Sequence, residues 1–328
     1  MNVNMPSAEV VLHAQLPAQK KVRYFGGGRM IIKRFPKEWP LHLMVLPALI
    51  ITTIFSYGPM YGLIMAFQDF SPVRGFTGSE WIGWDNFRWL FSQPNFLRTI
   101  PNTLFISIWK IALGLVCSVV FALLLNELRL VLFKRVFQTI VYIPNFISWI
   151  IMAGVLHTML ASDGLVNYML MALGFDNVPF LSDPRVFPWT MIWTDVWKTF
   201  GFGTVVYLAV ITSIDPTLYE SAVIDGAGRF RQTISITLPL MGPIIVLMLT
   251  LALGNVLNAG FDQIYNLYSP IVYSTGDIID TYLFRLAFTG AFRFAEGAAV
   301  GLMRSVVATI LMSISLFVAY KVANYKIF

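Results

Sequence analysis

Charge is scarce in this chain. Of 328 residues, 12% are Asp, Glu, Lys or Arg and 57% are hydrophobic. A water-soluble domain carries roughly 25% charged residues, so a soluble globular fold is excluded. Cysteine is nearly missing: Cys117 stands alone, which rules out an intrachain disulfide and a cysteine-based metal site. The three histidines, His13, His42 and His157, are scattered and make no metal or catalytic set. No G-x-x-x-x-G-K-[ST] occurs, so the chain has no phosphate loop of its own, and the GGGR at 26–29 reads as a flexible joint. No clustered acid/base or metal set lies near a membrane interface, as an embedded transferase or hydrolase would need. Internal repeats of the kind found in many secondary transporters are absent. Residues 1–39 lack the apolar core of a cleavable signal peptide, so the first apolar segment is expected to direct insertion itself.

What remains is apolar sequence in long runs. Six stretches, roughly 41–67, 100–125, 136–160, 186–213, 238–260 and 300–322, are long enough to cross a hydrocarbon core of roughly 30 Å, which takes about 20 helical residues. Isolated polar residues inside them are compatible with spanning, because a helix satisfies its own backbone groups in lipid. The expected fold class is therefore an all-α membrane protein with six transmembrane helices. Its expected divisions are an N-terminal arm (1–40), a first transmembrane helix with an external loop (41–99), and a core (100–328) of five further helices around a loop at 214–237.

Basic residues orient the bundle. Fourteen fall on one side: seven between Lys20 and Lys37, then Arg129, Lys134, Arg135, Arg229, Arg231, Lys321 and Lys326. Six fall on the other: Arg74, Arg88, Arg98, Arg185, Arg285 and Arg293. The positive-inside rule then makes both termini and the 214–237 loop cytoplasmic. The formal net charge of +6 follows from this topology and does not point to nucleic acid. The first nineteen residues read as disordered. The basic arm is either a solvated topogenic segment or lies on anionic lipid headgroups. Trp81, Trp84, Phe87, Trp89 and Phe91 in the external gap at 68–99 suit a membrane-interface belt.

The stretch from Tyr219 to Pro239 reads YESAVIDGAGRFRQTISITLP. It resembles the cytoplasmic "EAA" loop of binding-protein-dependent ABC importers, whose frame is E-A-A, three residues, G, nine residues, I-x-L-P. Glu220, Ser221, Ala222, Gly226, Ile236, Leu238 and Pro239 fall on it, with Ser221 the one departure. Asp225 and Ala227 complete the D-G-A of the sugar-importing branch. Further stretches, YGLIMAFQDFSP (61–72), WIGWDNF (81–87), LLLNEL (123–128), QTIVYIPNFISW (138–149) and GFDQIYNL (260–267), are similar to permeases of oligosaccharide and polysaccharide importers of the maltose type. Among these the chain looks most like a permease subunit of a bacterial alginate importer. The resemblance spans nearly the whole chain. It implies a type I ABC importer permease in the bacterial inner membrane, working with a second homologous permease, two ATPase subunits and a solute-binding protein. Nucleotide and magnesium would then bind the ATPase partners and no cofactor this chain.

Local chemistry fits a rigid hook in that loop. Asp215 can cap a helix that begins at Pro216. Leu218 with Ala222 and Tyr219 with Val223 pair along it, and Gly226 supplies the freedom to end it. Phe230 and Ile234 form a second apolar ridge. By resemblance Glu220, Ser221, Ala222, Asp225, Gly226 and Ala227 couple the chain to an ATPase, with Glu220 orienting the contact.

Polar residues within spans are costly and suggest function. On span five, Asn255, Asn258 and Asp262 are spaced three and four apart and are expected to share one helical face. The family's maltose-type members carry such an asparagine pair against sugar. Two readings stay open: contact with substrate, or helix–helix hydrogen bonding. Lys110 falls near the middle of span two and needs a carboxylate, water or an anionic ligand. Asp195 and Lys198, three apart on span four, are expected to neutralise each other, with Lys198 structural. Arg304, near the outer end of span six, is expected to snorkel. Lys110, Lys198 and Arg304 against Asp195 leave a surplus of two positive charges, which suits an acidic uronate oligosaccharide such as alginate. Lys110 and Arg304 are then the candidate cargo cations. Trp189, Trp193 and Trp197 lie opposite the Asp195–Lys198 face and read as packing against lipid or a neighbouring subunit. The alternative function is an ion-coupled secondary sugar carrier, with Asp195 as its coupling carboxylate.

Overall fold

The computed structural model describes residues 29–128, 130–289 and 292–323. The first 28 residues, Arg129 and Lys326, which entered the orientation count, lie outside them. The chain divides into two units, Met1–Met60 and Tyr61–Phe328. The first holds α1 (Arg29–Thr52) and a π-helical turn at Thr53–Tyr57. The helix then tightens to a 3-10 form over Gly58–Phe67. The change of pitch coincides with Pro59, which has no N–H to give the ladder. The continuous apolar stretch runs Trp39–Phe67, which matches the first expected span.

In the second unit the external segment begins with a two-stranded antiparallel ribbon, β1 (Gln68–Asp69) on β2 (Glu80–Trp81), that encloses the short α2 (Gly75–Gly78). The helix α3 (Asp85–Ser92) follows. Asn86 ties it back by donating to the carbonyls of Ala66 and Gln68, both at 3.0 Å. Phe67 stacks on Trp81 and packs beside Trp84 and Phe87.

The bundle is built on α4 (Pro94–Glu127) and α8 (Phe187–Ser213). Proline lies in the first turn of both, Pro94 and Pro188, where its missing N–H is harmless. Small residues let the two approach: a Cβ at Gly203 would lie 2.7 Å from the Ser118 hydroxyl, and Ser118 donates to the Phe200 carbonyl at 2.9 Å. The third expected span, 136–160, is broken in two. α5 (Val131–Phe146) ends after Pro144, Ile147 and Ser148 are extended, and α6 (Trp149–Leu160) starts with Ser148 as its cap. The apolar run then continues through a turn into α7 (Leu165–Ala172), so the spanning stretch is Trp149–Ala172. Gly201 lets α8 meet α5, since a Cβ there would overlap the main chain and side chain of Val141.

After α8 come α9 (Pro216–Ile224), α10 (Arg229–Gln232), a π turn at Thr233–Thr237 and α11 (Leu238–Gly254). Span five stops at Gly254 and does not run to residue 260. Residues 255–260 are unwound, and the helix resumes as α12 (Phe261–Leu267). The stretch between α12 and the last span is also largely helical. A 3-10 turn at Pro270–Val272, α13 (Tyr273–Gly276) and α14 (Ile279–Phe288) lead to α15 (Phe294–Ala323). Asp277 and Arg285 lock this cap with a 2.5 Å ion pair, and Asn102 at the start of α4 donates to the Asp277 carbonyl at 3.1 Å. Ile106, Met152, Phe187, Met191, Ile192 and Ile264 form the principal core, so α12 is packed inside the bundle.

Candidate functional site

The break in span five organises the polar interior. Asn255 ends α11 with φ −106° and ψ 16°, and Gly260 sits at φ +92°. Main-chain bonds between them are short turns: Asn255 to Ala252, Val256 to Leu253 and Asn258 to Asn255. Asn255, Asn258 and Asp262 therefore do not share a helical face. The first caps one helix, the second lies in the unwound linker, and the third opens the next helix. A residue in the left-handed region ends helical periodicity, so three-and-four spacing no longer sets direction.

Two adjoining cavities meet at this linker. The larger, about 590 Å³, is lined by Trp149, Asn258, Phe261, Asp262, Asp280 and Arg304 among others. The smaller, about 350 Å³, has Ser107, Lys110, Asp195, Asn255, Asn258 and Gly260 in its wall. Asn258 and Gly260 belong to both. Among the described residues the Ser107 hydroxyl is buried with no hydrogen-bond partner. Asn255 donates to Leu251 at 3.2 Å and Asn258 accepts from the Gly260 amide at 3.4 Å. This leaves Oδ1 of the first and Nδ2 of the second without partners among the described residues.

The charges pair differently from the expectation. Asp195 faces Lys110, at 3.5 Å, and not Lys198. Lys198 instead donates to the carbonyl of Asn145 at 3.1 Å and lies 5.1 Å from the centre of the Trp149 ring. The cause is the break after α5, which leaves Asn145 with an orphan helix-end carbonyl that attracts a cation. Arg304 does not snorkel: it meets Asp280 on α14 at 2.6 Å. Burial raises the Asp280 carboxyl above the usual carboxylate range, and Arg304 opposes this. Asp280 was missed because it lies outside every apolar run. Counted with it, Lys110 and Arg304 are each matched by a carboxylate, and the expected surplus of two positive charges falls to one, carried by Lys198 on its backbone carbonyl. An ion-coupled carrier would need Asp195 free, and it is committed to Lys110. Trp189, Trp193 and Trp197 are exposed on the bundle surface, with Trp189 against Phe105 and Trp109.

At the other end, the hook forms as its residues suggest. The Asp215 carboxylate accepts from the Thr217 N–H at 2.9 Å, and that bond holds the carboxyl below the usual range. Gly226, at φ +76°, donates to Val223 at 3.0 Å while Ala227 donates to Ala222 at 2.8 Å. This reciprocal pair is a Schellman termination. Ser221, the departure from the frame, bonds back to the Thr217 carbonyl. The apolar pairing differs in detail: Tyr219 and Ala222 turn inward, with Tyr219 on Thr237 at 2.9 Å. Leu218, Val223, Ile224 and Phe230 are exposed. So are Glu220 and Asp225. Arg229 pairs with Glu127 of α4 at 2.7 Å and anchors the hook to the bundle.

Six long apolar helical stretches, a polar cavity at a broken span and a capped hook define a membrane transport component. The model of the binding-protein-dependent transport system inner membrane component matches residues 111–327. Protein LplB of Bacillus subtilis is 38% identical over 286 residues, covering 87% of this chain and 89% of that one. The polygalacturonan/rhamnogalacturonan transport system permease protein YteP of the same organism is 37% identical, covering 92% and 93%. A chain in the crystal structure of a bacterial ABC transporter involved in the import of the acidic polysaccharide alginate superposes with a TM-score of 0.82 at 40% identity. That match covers 89% of this chain and 99% of that one. A chain of the alginate importer in complex with an alginate pentasaccharide-bound periplasmic protein matches equally well, at 39% identity. The chain belongs to the family of binding-protein-dependent transport system inner membrane components. It is a multi-pass permease subunit of an ABC importer and not an enzyme.

Proposed function

We propose that this chain forms half of the membrane pathway of an importer for acidic oligosaccharides of the uronate class. A second homologous permease completes the pathway, a solute-binding protein delivers the sugar from outside, and two ATPase subunits holding ATP and magnesium drive it. The termini and the hook face the cytoplasm. The observation that carries the reading is the likeness, at 40% identity over 89% of the chain, to a subunit of an alginate importer. YteP, named for polygalacturonan, points to the same uronate chemistry.

The site supports a division of labour. Ser107, Asn255 and Asn258 offer a hydroxyl and two amides to sugar hydroxyls, and Phe261 and Phe284 supply apolar faces. With Lys110 and Arg304 paired and Asp262 exposed in the larger cavity, nothing there attracts a carboxylate strongly. Charge selection therefore falls to the binding protein, and the cavities handle hydroxyls. The exposed Leu218, Val223, Ile224 and Phe230 give the hook an apolar surface that suits a groove on an ATPase subunit, oriented by Glu220.

The test is a complex reconstituted in vesicles with both permeases, the ATPases and the binding protein. Uptake of a labelled oligouronide should be ATP-dependent, and its carboxyl-reduced counterpart should fail to enter because the binding protein does not load it. Preferential uptake of the neutral sugar would overturn the cargo class. Uptake without the ATPase subunits would overturn the importer.

A further inference from the structure

Lys110 sits in the middle of a long apolar helix, and every proton on its ammonium has a destination. The group carries three donors and no acceptor. One goes to the carbonyl of Ala259 at 2.8 Å, one to Oε1 of Gln263, and one faces Asp195 Oδ1 at 3.5 Å. No donor is left for a carboxylate on the cargo.

The partners are all tied to one another. Gln263 is fully buried, and its amide donates to the Met191 carbonyl and the Thr194 hydroxyl, both at 2.8 Å. Met191, Thr194 and Asp195 are on α8, Lys110 is on α4, and Ala259 and Gln263 flank Gly260. Gly260 is shaped to the same contact: a Cβ there would lie 2.9 Å from the Lys110 nitrogen, and its φ of +92° disfavours any side chain. The ammonium thus replaces the helical donor that Ala259 lost when span five unwound.

We propose that Lys110 is a positioning residue that clips the unwound segment 255–260 to α4 and, through Asp195, to α8. It thereby holds Asn258 where the two cavities meet, and it does not bind cargo. The proposal rests on the importer reading only in taking these cavities as the cargo path.

The experiment uses the complete complex carrying Lys110→Met or Gln263→Met, the second of which changes no charge. Backbone hydrogen exchange is read on the peptide covering 255–263, and uptake is read at saturating loaded binding protein. Both variants should speed exchange there by about tenfold while leaving the hook unchanged. Both should lower the maximal uptake rate by about the same factor, since a tenfold loss of the competent segment slows every step that needs it. The loss should be equal for any two sugars the complex imports, whatever their charge. Wild-type exchange at 255–263 in both variants overturns the proposal, whatever transport does. So does a loss confined to acidic sugars in Lys110→Met, which would make Lys110 a cargo ligand. If Lys110→Met fails to assemble, Gln263→Met carries the test alone. Should only neutral sugars enter, the cargo class fails, and the exchange measurement still decides the role of Lys110.

Discussion

Gly226 offers a perturbation whose size follows from backbone geometry alone. Its φ is +76°, and a Cβ built there meets nothing within 4 Å. A substitution therefore acts through the left-handed backbone and not through a clash. An L-residue in that region costs about 1–2 kcal/mol, which shifts the balance between the closed cap and alternatives by about 5- to 30-fold. Asparagine tolerates the region better than most residues, and valine tolerates it worst because both β-substituents crowd the backbone. Proline is outside the series: its φ stays near −65° and it deletes the N–H that reaches Val223. Stimulation of ATPase activity by loaded binding protein should therefore fall in the order Gly, Asn, Ala, Val, Pro, with the yield of inserted complex unchanged. Wild-type stimulation in Gly226→Pro would refute the reasoning. An order that follows side-chain volume would refute it too, because volume has nothing to meet there.

Asp215 titrates below the usual range because the Thr217 N–H binds its ionised form. Its contribution to the hook is thus present above the ordinary aspartate pKa, near 3.9, and is lost as pH falls through the lower folded value. Asp215→Ala should speed hydrogen exchange in 216–224 at neutral pH, and acidification should reduce the protection of that segment, relative to intrinsic exchange, in the wild type and not in the variant. Gly201→Leu should lower the melting temperature of the purified complex, since forcing bulk against Val141 costs about 1–3 kcal/mol. Equal melting would mean that α5 and α8 are not pressed together as described. In a Cys117→Ser background, cysteine at the exposed Ser213 should react with impermeant thiol reagents only from the cytoplasm, and at the exposed Asp163 only from outside. Labelling of position 213 from outside would reverse the topology.

The spans and the hook were legible because each is local. Asp215 before Pro216 and Gly226 ten residues beyond that proline mark a helix start and stop, and both ends lie where those residues put them. The interior was not legible because its contacts are long-range. Lys110 and Asp195 meet across two helices, and Arg304 finds Asp280 in a segment that hydropathy assigns to a loop. The break in span five hides in a run apolar enough to read as continuous. Its traces were Gly254 and Gly260, which bracket the unwound stretch, with Asn255 and Asn258 between them. Pro144 and Ser148 marked the break in the third span in the same way.

The unwound stretch between Gly254 and Gly260 also changes what length variation does to this chain. In an unbroken helix one inserted residue turns everything beyond it by about 100°. Faces meant for lipid would then point into the bundle. Here α12 is fixed by Gln263 and the core side chains Ile264 and Leu267, not by the phase of α11. An insertion among residues 255–258 should therefore be absorbed before it reaches α12. It alters how far the linker bulges into the two cavities and which atoms it presents there. Linker length is thereby separated from the register of the bundle: it bears on the cavities and not on the packed faces of α12.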